Sequence, residues 1–296
     1  MRWPVKFAFC SIIVVVVCFA GTSWYSDTKY GHLKKGNALV KVGNYDLAIS
    51  NYSKAIKNDE LFTEAYTNRG VAHMKQGDFA LALADFNKAI ELEPDKTDAY
   101  FNRGSVRAKT GDLDGALADF SKIIDIKPFD YEAYSKRAVV LEWKSDLDRE
   151  LALSDYSKAL EINPTYSEGY VDRAGLWRSM GKHDRAIADY DMAIKTDISN
   201  YKGYGNKAHL LATCTDSRYR NGEEAVRLAR KALELDHSAT ALSILATAFA
   251  EIGEFEEAIN TQRAAISLLE KEHNLKKMSE FIRQLESYQA QTPWRE

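Results

Sequence analysis

Alanine returns at Ala48, Ala82, Ala116, Ala152, Ala186, Ala225 and Ala258, with spacings of 34, 34, 36, 34, 39 and 33 residues. This period runs from Lys29 to Glu272 of a 296-residue chain and constrains the fold more than any other feature. A repeat of this size is one supersecondary unit that buries its apolar face only on its neighbours, so the chain should fold as a solenoid. Length alone would allow two globular domains. The period argues for one elongated array instead.

With Lys29 as position 1, later units begin at Thr63, Thr97, Tyr131, Ser167, Tyr201 and Ala239. The seven units are then 29–62, 63–96, 97–130, 131–166, 167–200, 201–238 and 239–272. Position 8 is always small: Gly36, Gly70, Gly104, Ala138, Ala174, Ala208 and Ala246. Position 20 is the alanine beat, and position 27 is alanine except at Ile123. Position 4 carries Tyr66, Tyr100, Tyr134, Tyr170 and Tyr204; position 24 carries Tyr52, Phe86, Phe120, Tyr156 and Tyr190. Small residues at 8, 20 and 27 let two helix backbones approach, and the aromatic residues fill the space beside them. Glycine at position 15, as in Gly77 and Gly111, stops the first helix in the manner of a C′ residue. Asn44, Asp78 and Asp112 follow as candidate N-caps of the second helix. Pro94, Pro128 and Pro164 end second helices. Each unit is therefore expected to be an antiparallel helix pair.

The pattern of small-8, Gly-15, Ala-20, aromatic-24, Ala-27 and Pro-32 resembles the tetratricopeptide repeat (TPR) over Lys29 to Glu272. The resemblance implies an all-α, right-handed superhelical solenoid of about seven helix-turn-helix units. Two units break the period, the fourth at Ser145–Arg149 and the sixth at Cys214–Gly222. Ala229 stands at the aromatic position 24 of the sixth unit. Beyond the seventh unit, Leu275, Met278, Ile282, Leu285 and Tyr288 recur at helical spacing, which reads as a capping helix over 273–290. Residues 291–296 read as a tail that frays.

Charge changes in step at two positions. Arg69, Arg103, Arg137 and Arg173 hold position 7, and the same units hold Asp85, Asp119, Asp155 and Asp189 at position 23. Units lacking the arginine (Lys35, Lys207, Leu245) also lack the aspartate (Asn51, Leu228, Thr261). The arginine row therefore reads as structural ion pairs between helices rather than as a phosphate-binding stripe. On that reading, removing Arg103 should lower the melting temperature much more than removing Arg107.

The resemblance places the concave face on the first helices, at positions 2, 5, 6, 9, 12 and 13. Position 6 reads Lys34, Asn68, Asn102, Lys136, Asp172, Asn206 and Ile244; position 9 includes Asn37, Ser105 and His209. An amide both donates to and accepts from a peptide backbone. Lys34, Asn37, Asn68, Asn102, Lys136 and Asn206 are accordingly the groove candidates, against the alternative of a merely solvated polar face. The carboxylate clamp of chaperone-binding family members is not matched. Asn37 and Asn68 fit it, whereas Leu33, Asp98 and Asn102 do not, and Asp98 sets a negative charge where a carboxylate would sit.

At the N-terminus, Arg2 and Lys6 precede the apolar run Phe7–Ala20. As a helix this run would span about 21 Å, and counting on to Trp24-Tyr25 gives about 28 Å, against about 30 Å of hydrocarbon core. A cleaved signal peptide and an uncleaved anchor, within residues 1–25, are both open. Either would carry the repeats across a membrane, with the extracytoplasmic side favoured. Cys214, the one cysteine inside the repeats, does not decide the redox compartment.

Net charge is −3 with 28% charged residues, which gives no basic face for nucleic acid. None of the six histidines pairs with another histidine or a cysteine in a metal-binding pattern, and GxxxxGK[ST] and GxSxG motifs are missing. The expectation is a non-catalytic scaffold without cofactor, metal or small-molecule substrate. It would bind a protein or peptide segment, would be exported or tethered through residues 7–25, and would assist assembly or secretion of a complex. The alternative is an anchored organelle import or co-chaperone receptor facing the cytosol.

Overall fold

A computed structural model describes residues 28–271 and 275–296. The signal or anchor segment at 7–25 lies outside the described residues. Within them the structure is all-helical, and no helix is long and apolar enough to cross a membrane. The helices are α1 (Lys29–Lys41), α2 (Tyr45–Asn58), α3 (Thr63–Gln76), α4 (Phe79–Leu92), α5 (Thr97–Thr110), α6 (Leu113–Ile126) and α7 (Tyr131–Lys144). Then come α8 (Arg149–Ile162), α9 (Ser167–Ser179), α10 (His183–Thr196), α11 (Tyr201–Thr213), α12 (Gly222–Leu235), α13 (Ala239–Glu251), α14 (Phe255–Lys271) and α15 (Leu275–Gln289).

The chain divides into two compact units, one ending at Trp143 and the other running from Lys144 to Glu296. The period alone argued for a single array. The division falls where the fourth unit is stretched, and there Asp146–Asp148 forms a short 3-10 turn capped by Ser145. In the first unit the pairs α1/α2, α3/α4 and α5/α6 pack in sequence; in the second, α9/α10, α11/α12 and α13/α14 do so.

The reason for the pairing is visible at position 20. Ala48, Ala82, Ala116, Ala152, Ala186, Ala225 and Ala258 have no solvent exposure at all. Beside them the aromatic side chains at position 24 are buried, and each ring seals the gap between two backbones. A Cβ built on Gly70 would lie 2.7 Å from the Phe86 ring, and one built on Gly36 would lie 2.4 Å from the Tyr52 ring. Glycine at position 8 of these pairs is thus a space requirement. Gly77 and Gly111 end α3 and α5 at φ of +90°, a left-handed conformation that side chains disfavour. Asn44 and Asp112 cap α2 and α6 through Leu47 N–H and Gly115 N–H. Asp78 stands at the N-cap of α4 without a side-chain bond there.

The last helix differs from the stripe read off the sequence. Ile282 is exposed, while Phe281, Gln284 and Tyr288 are buried. A glutamine enters this face because its carbonyl is satisfied. Gln284 Oε1 accepts from Ser243 Oγ at 2.8 Å and from Gln262 Nε2 at 3.0 Å. Residues 291–296, read from sequence as a tail, make defined contacts. The chain turns at Gln291, whose φ is +53°, and returns to the end of α11, where Glu296 N–H donates to the Thr213 carbonyl at 3.1 Å.

Replacing Gly70 by valine forces the Phe86 ring off its seat. It is expected to destabilise the fold by about 1–3 kcal/mol, as overpacking of a dense core does. Thermal melting followed by circular dichroism checks this, and an unchanged melting temperature would show that the ring contact does not set the helix spacing.

Candidate functional site

The groove candidates sit on first helices, and two of them meet. Asn37 on α1 and Asn68 on α3 are in contact, with Asn68 Nδ2 donating to Asn37 Oδ1 at 3.0 Å. The same oxygen accepts from Tyr52 OH at 2.8 Å. Burial pushes the Tyr52 phenol up to about 12, so it stays a neutral donor. Tyr52 thereby fixes the Asn37 amide, and Asn37 fixes Asn68. The amide groups outside this contact are Asn37 Nδ2, a donor, and Asn68 Oδ1, an acceptor. One of each is what a single peptide unit of an extended chain requires.

The other candidates are not brought into that contact. Asn102 donates to the Asp98 carbonyl of its own helix at 2.8 Å. It lines a cavity of about 210 Å³ whose wall also carries Asp98, Asp130 and Glu132. Lys34 and Lys136 are exposed on α1 and α7, and Asn206 is half-buried on α11. Three carboxylates around the Asn102 cavity make it a poor place for an acidic ligand.

The arginine row forms clamps. Arg69 Nε and Nη2 donate to the two carboxylate oxygens of Asp85 at 2.9 and 2.7 Å. Arg103 grips Asp119 at 3.0 and 2.6 Å, and Arg173 grips Asp189 at 2.8 Å twice. Each forked contact joins the first helix of a pair to its own second helix. Arg137 lies in the first compact unit and Asp155, which is buried, in the second.

A third partner was missed from sequence. The remaining guanidinium nitrogen reaches back to position 25 of the preceding pair. Arg69 Nη1 donates to Ser53 Oγ, Arg137 Nη1 to Ser121 Oγ and Arg173 Nη1 to Ser157 Oγ, all at 3.0 Å, and Arg103 Nη1 to Asn87 Oδ1 at 2.6 Å. The signal was present as a polar residue at position 25, but such residues are common on exposed helix faces and carry no pattern of their own. Lys207, in one of the units lacking the arginine, reaches back in the same way to Asp191 at 2.6 Å. Each arginine also lies over the tyrosine at position 4 of its own unit, as Arg103 does over Tyr100 at 5.4 Å.

Arg107 does not stand apart from this network. Its Nη1 donates to Asp119 Oδ2 at 2.9 Å, so Asp119, almost fully buried, holds two arginines. The large difference expected between Arg103 and Arg107 therefore narrows, and the greatest cost moves to the shared carboxylate. Asp119→Ala leaves the Arg103 guanidinium without its carboxylate and Arg107 with only the longer contact to Asp112 at 3.4 Å. It should cost about 3–5 kcal/mol, the range for breaking a buried pair. In thermal melts Asp119→Ala should fall well below both Arg103→Ala and Arg107→Ala; a wild-type melting temperature for it contradicts the shared clamp.

Residues 33–92 and 68–131 match the family model described as tetratricopeptide repeat. No curated protein sequence matches the chain. Among solved structures, a tetratricopeptide repeat protein from Parabacteroides merdae ATCC 43184 superposes with a TM-score of 0.66 at 19% identity, covering 88% of this chain and 98% of that one. MamA is similar with a TM-score of 0.51 at 22% identity, covering 56% and 96%. YrrB, described as a TPR protein with an unusual peptide-binding site, has a TM-score of 0.51 at 18% identity, covering 64% and 96%. These likenesses, together with the stacked helix pairs, establish the fold. Over residues 33–131 the chain matches the tetratricopeptide repeat model, and its helix pairs share the fold of these solved structures.

Proposed function

We propose that this protein is a non-catalytic interaction scaffold that holds an extended segment of a partner protein against its first helices. The observation that carries the reading is the Asn37–Asn68 contact. It presents a donor and an acceptor side by side, with the buried Tyr52 holding Asn37 and Asn37 holding Asn68. Backbone recognition by amides fits a partner chosen more by extended conformation than by side chains. The likeness to YrrB, a repeat protein with a peptide-binding site, agrees with this reading. Residues 7–25 would export or tether the scaffold, with the repeats on the extracytoplasmic side, where it would assist assembly or secretion of a complex. An import receptor for acidic chaperone tails is disfavoured by the carboxylates beside Asn102.

An array of immobilised short peptides probed with the purified protein tests the groove. Asn68→Ala combined with Asn102→Ala removes two position-6 amides and should weaken retained binding about tenfold, equivalent to about 1.4 kcal/mol. Undiminished binding would falsify the groove assignment. Protease accessibility of the repeats in intact cells and in membrane-opened cells tests the topology: protection only behind the membrane supports export, and cleavage from the cytosolic side refutes it.

A further inference from the structure

The segment after α15 lies against the ends of α11 and α13, which it contacts through both backbone and side chains. Glu296 N–H donates to the Thr213 carbonyl at 3.1 Å, and Arg295 Nη1 donates to the Ala212 carbonyl at 3.1 Å. Both carbonyls belong to the last turn of α11, where four acceptors lack helical partners. The segment supplies what a C-cap would. Its side chains are also received. Glu296 Oε2 lies 2.9 Å from His209 Nε2, and Arg295 Nη2 lies 2.6 Å from Glu251 Oε2. Arg220 Nε holds the other Glu251 oxygen at 3.0 Å. Trp294 packs on Ala246, Ala250, Ala258 and Tyr288.

Four further observations bear on this contact. His209 occupies position 9 of its helix pair, the same phase of the repeat as Asn37 in the first unit. The hydrogen bond from His209 and the nearby Arg178 hold the Glu296 carboxyl down to about 2. Gln291, just past the end of α15, takes a left-handed conformation that turns the chain back, with Thr292 N–H donating to the Ser287 carbonyl at 2.9 Å. Glu296 also lines a cavity of about 200 Å³ together with Arg178 and His183.

We infer that residues 292–296 are a resident ligand of this face, and that the face is a binding site for partner segments carrying an aromatic, a basic and an acidic residue in that order. A partner segment gains access by displacing the resident one. The site lies in the second unit and stands independently of the Asn37–Asn68 groove. A resident segment docked about nine-tenths of the time weakens a competitor about tenfold, because only the open fraction binds.

The test uses a fluorescein-labelled pentapeptide of sequence TPWRE and fluorescence anisotropy on the full chain. Trp294→Ala, Arg295→Ala and Glu296→Ala combined should bind the peptide about tenfold more tightly than wild type, and adding His209→Ala should abolish the gain. Glu296→Gln alone, which perturbs packing least, should show a smaller gain in the same direction. Circular dichroism confirms that the variants remain helical. Equal affinity of wild type and the triple variant overturns the inference, as does a gain that survives His209→Ala. A dimer in sedimentation that depends on Trp294 places the segment in a neighbouring copy and overturns the intramolecular assignment.

Discussion

In the first three helix pairs the aromatic ring of the second helix lies against the glycine of the first, and that contact sets how far apart the two backbones run. Gly70 against Phe86 and Gly36 against Tyr52 leave no room for a further carbon. With the spacing set, the alanines at position 20 are fully enclosed. The polar groups that matter then fall at fixed heights along each pair. Tyr52 shows the coupling directly: its ring packs on Gly36 while its hydroxyl orients Asn37. Packing and the candidate binding face share one side chain.

Arginine solves a different problem. Ring packing holds a pair together but says little about how the next pair is set against it. Each clamp is forked to an aspartate in its own pair and reaches back to a polar residue of the preceding one, as Arg69 does to Asp85 and Ser53. A guanidinium suits this because its donors have fixed directions. Lysine at 207 makes only the backward contact. Buried ion pairs contribute less net stability than specificity of arrangement, since desolvation offsets much of their attraction. The clamp is therefore best understood as setting register between pairs.

Much of this was legible in the sequence because identical units report the same contact several times. The co-variation of Arg103 with Asp119, and of its counterparts, marked a pair that no single helix would have revealed. Features present once had no such support. The stripe on α15 was displaced because Gln284, polar by composition, is buried through bonds to Ser243 and Gln262 that lie far away in the chain. Arg107 looked like an ordinary surface arginine until the fold brought it to Asp119. The chain beyond Gln291 looked like an unattached tail because its partners, Thr213, His209 and Glu251, stand many residues earlier.

The period, the small and aromatic phases and the turn glycines by themselves determined paired helices stacked in order, since those choices act through local geometry and repeat in every unit. Tertiary structure decided which asparagines meet, where the chain divides into two compact units, and that residues 292–296 cover the face carrying His209. These are contacts between residues far apart in sequence, made once or at one place, and only the packed chain brings their atoms within bonding distance.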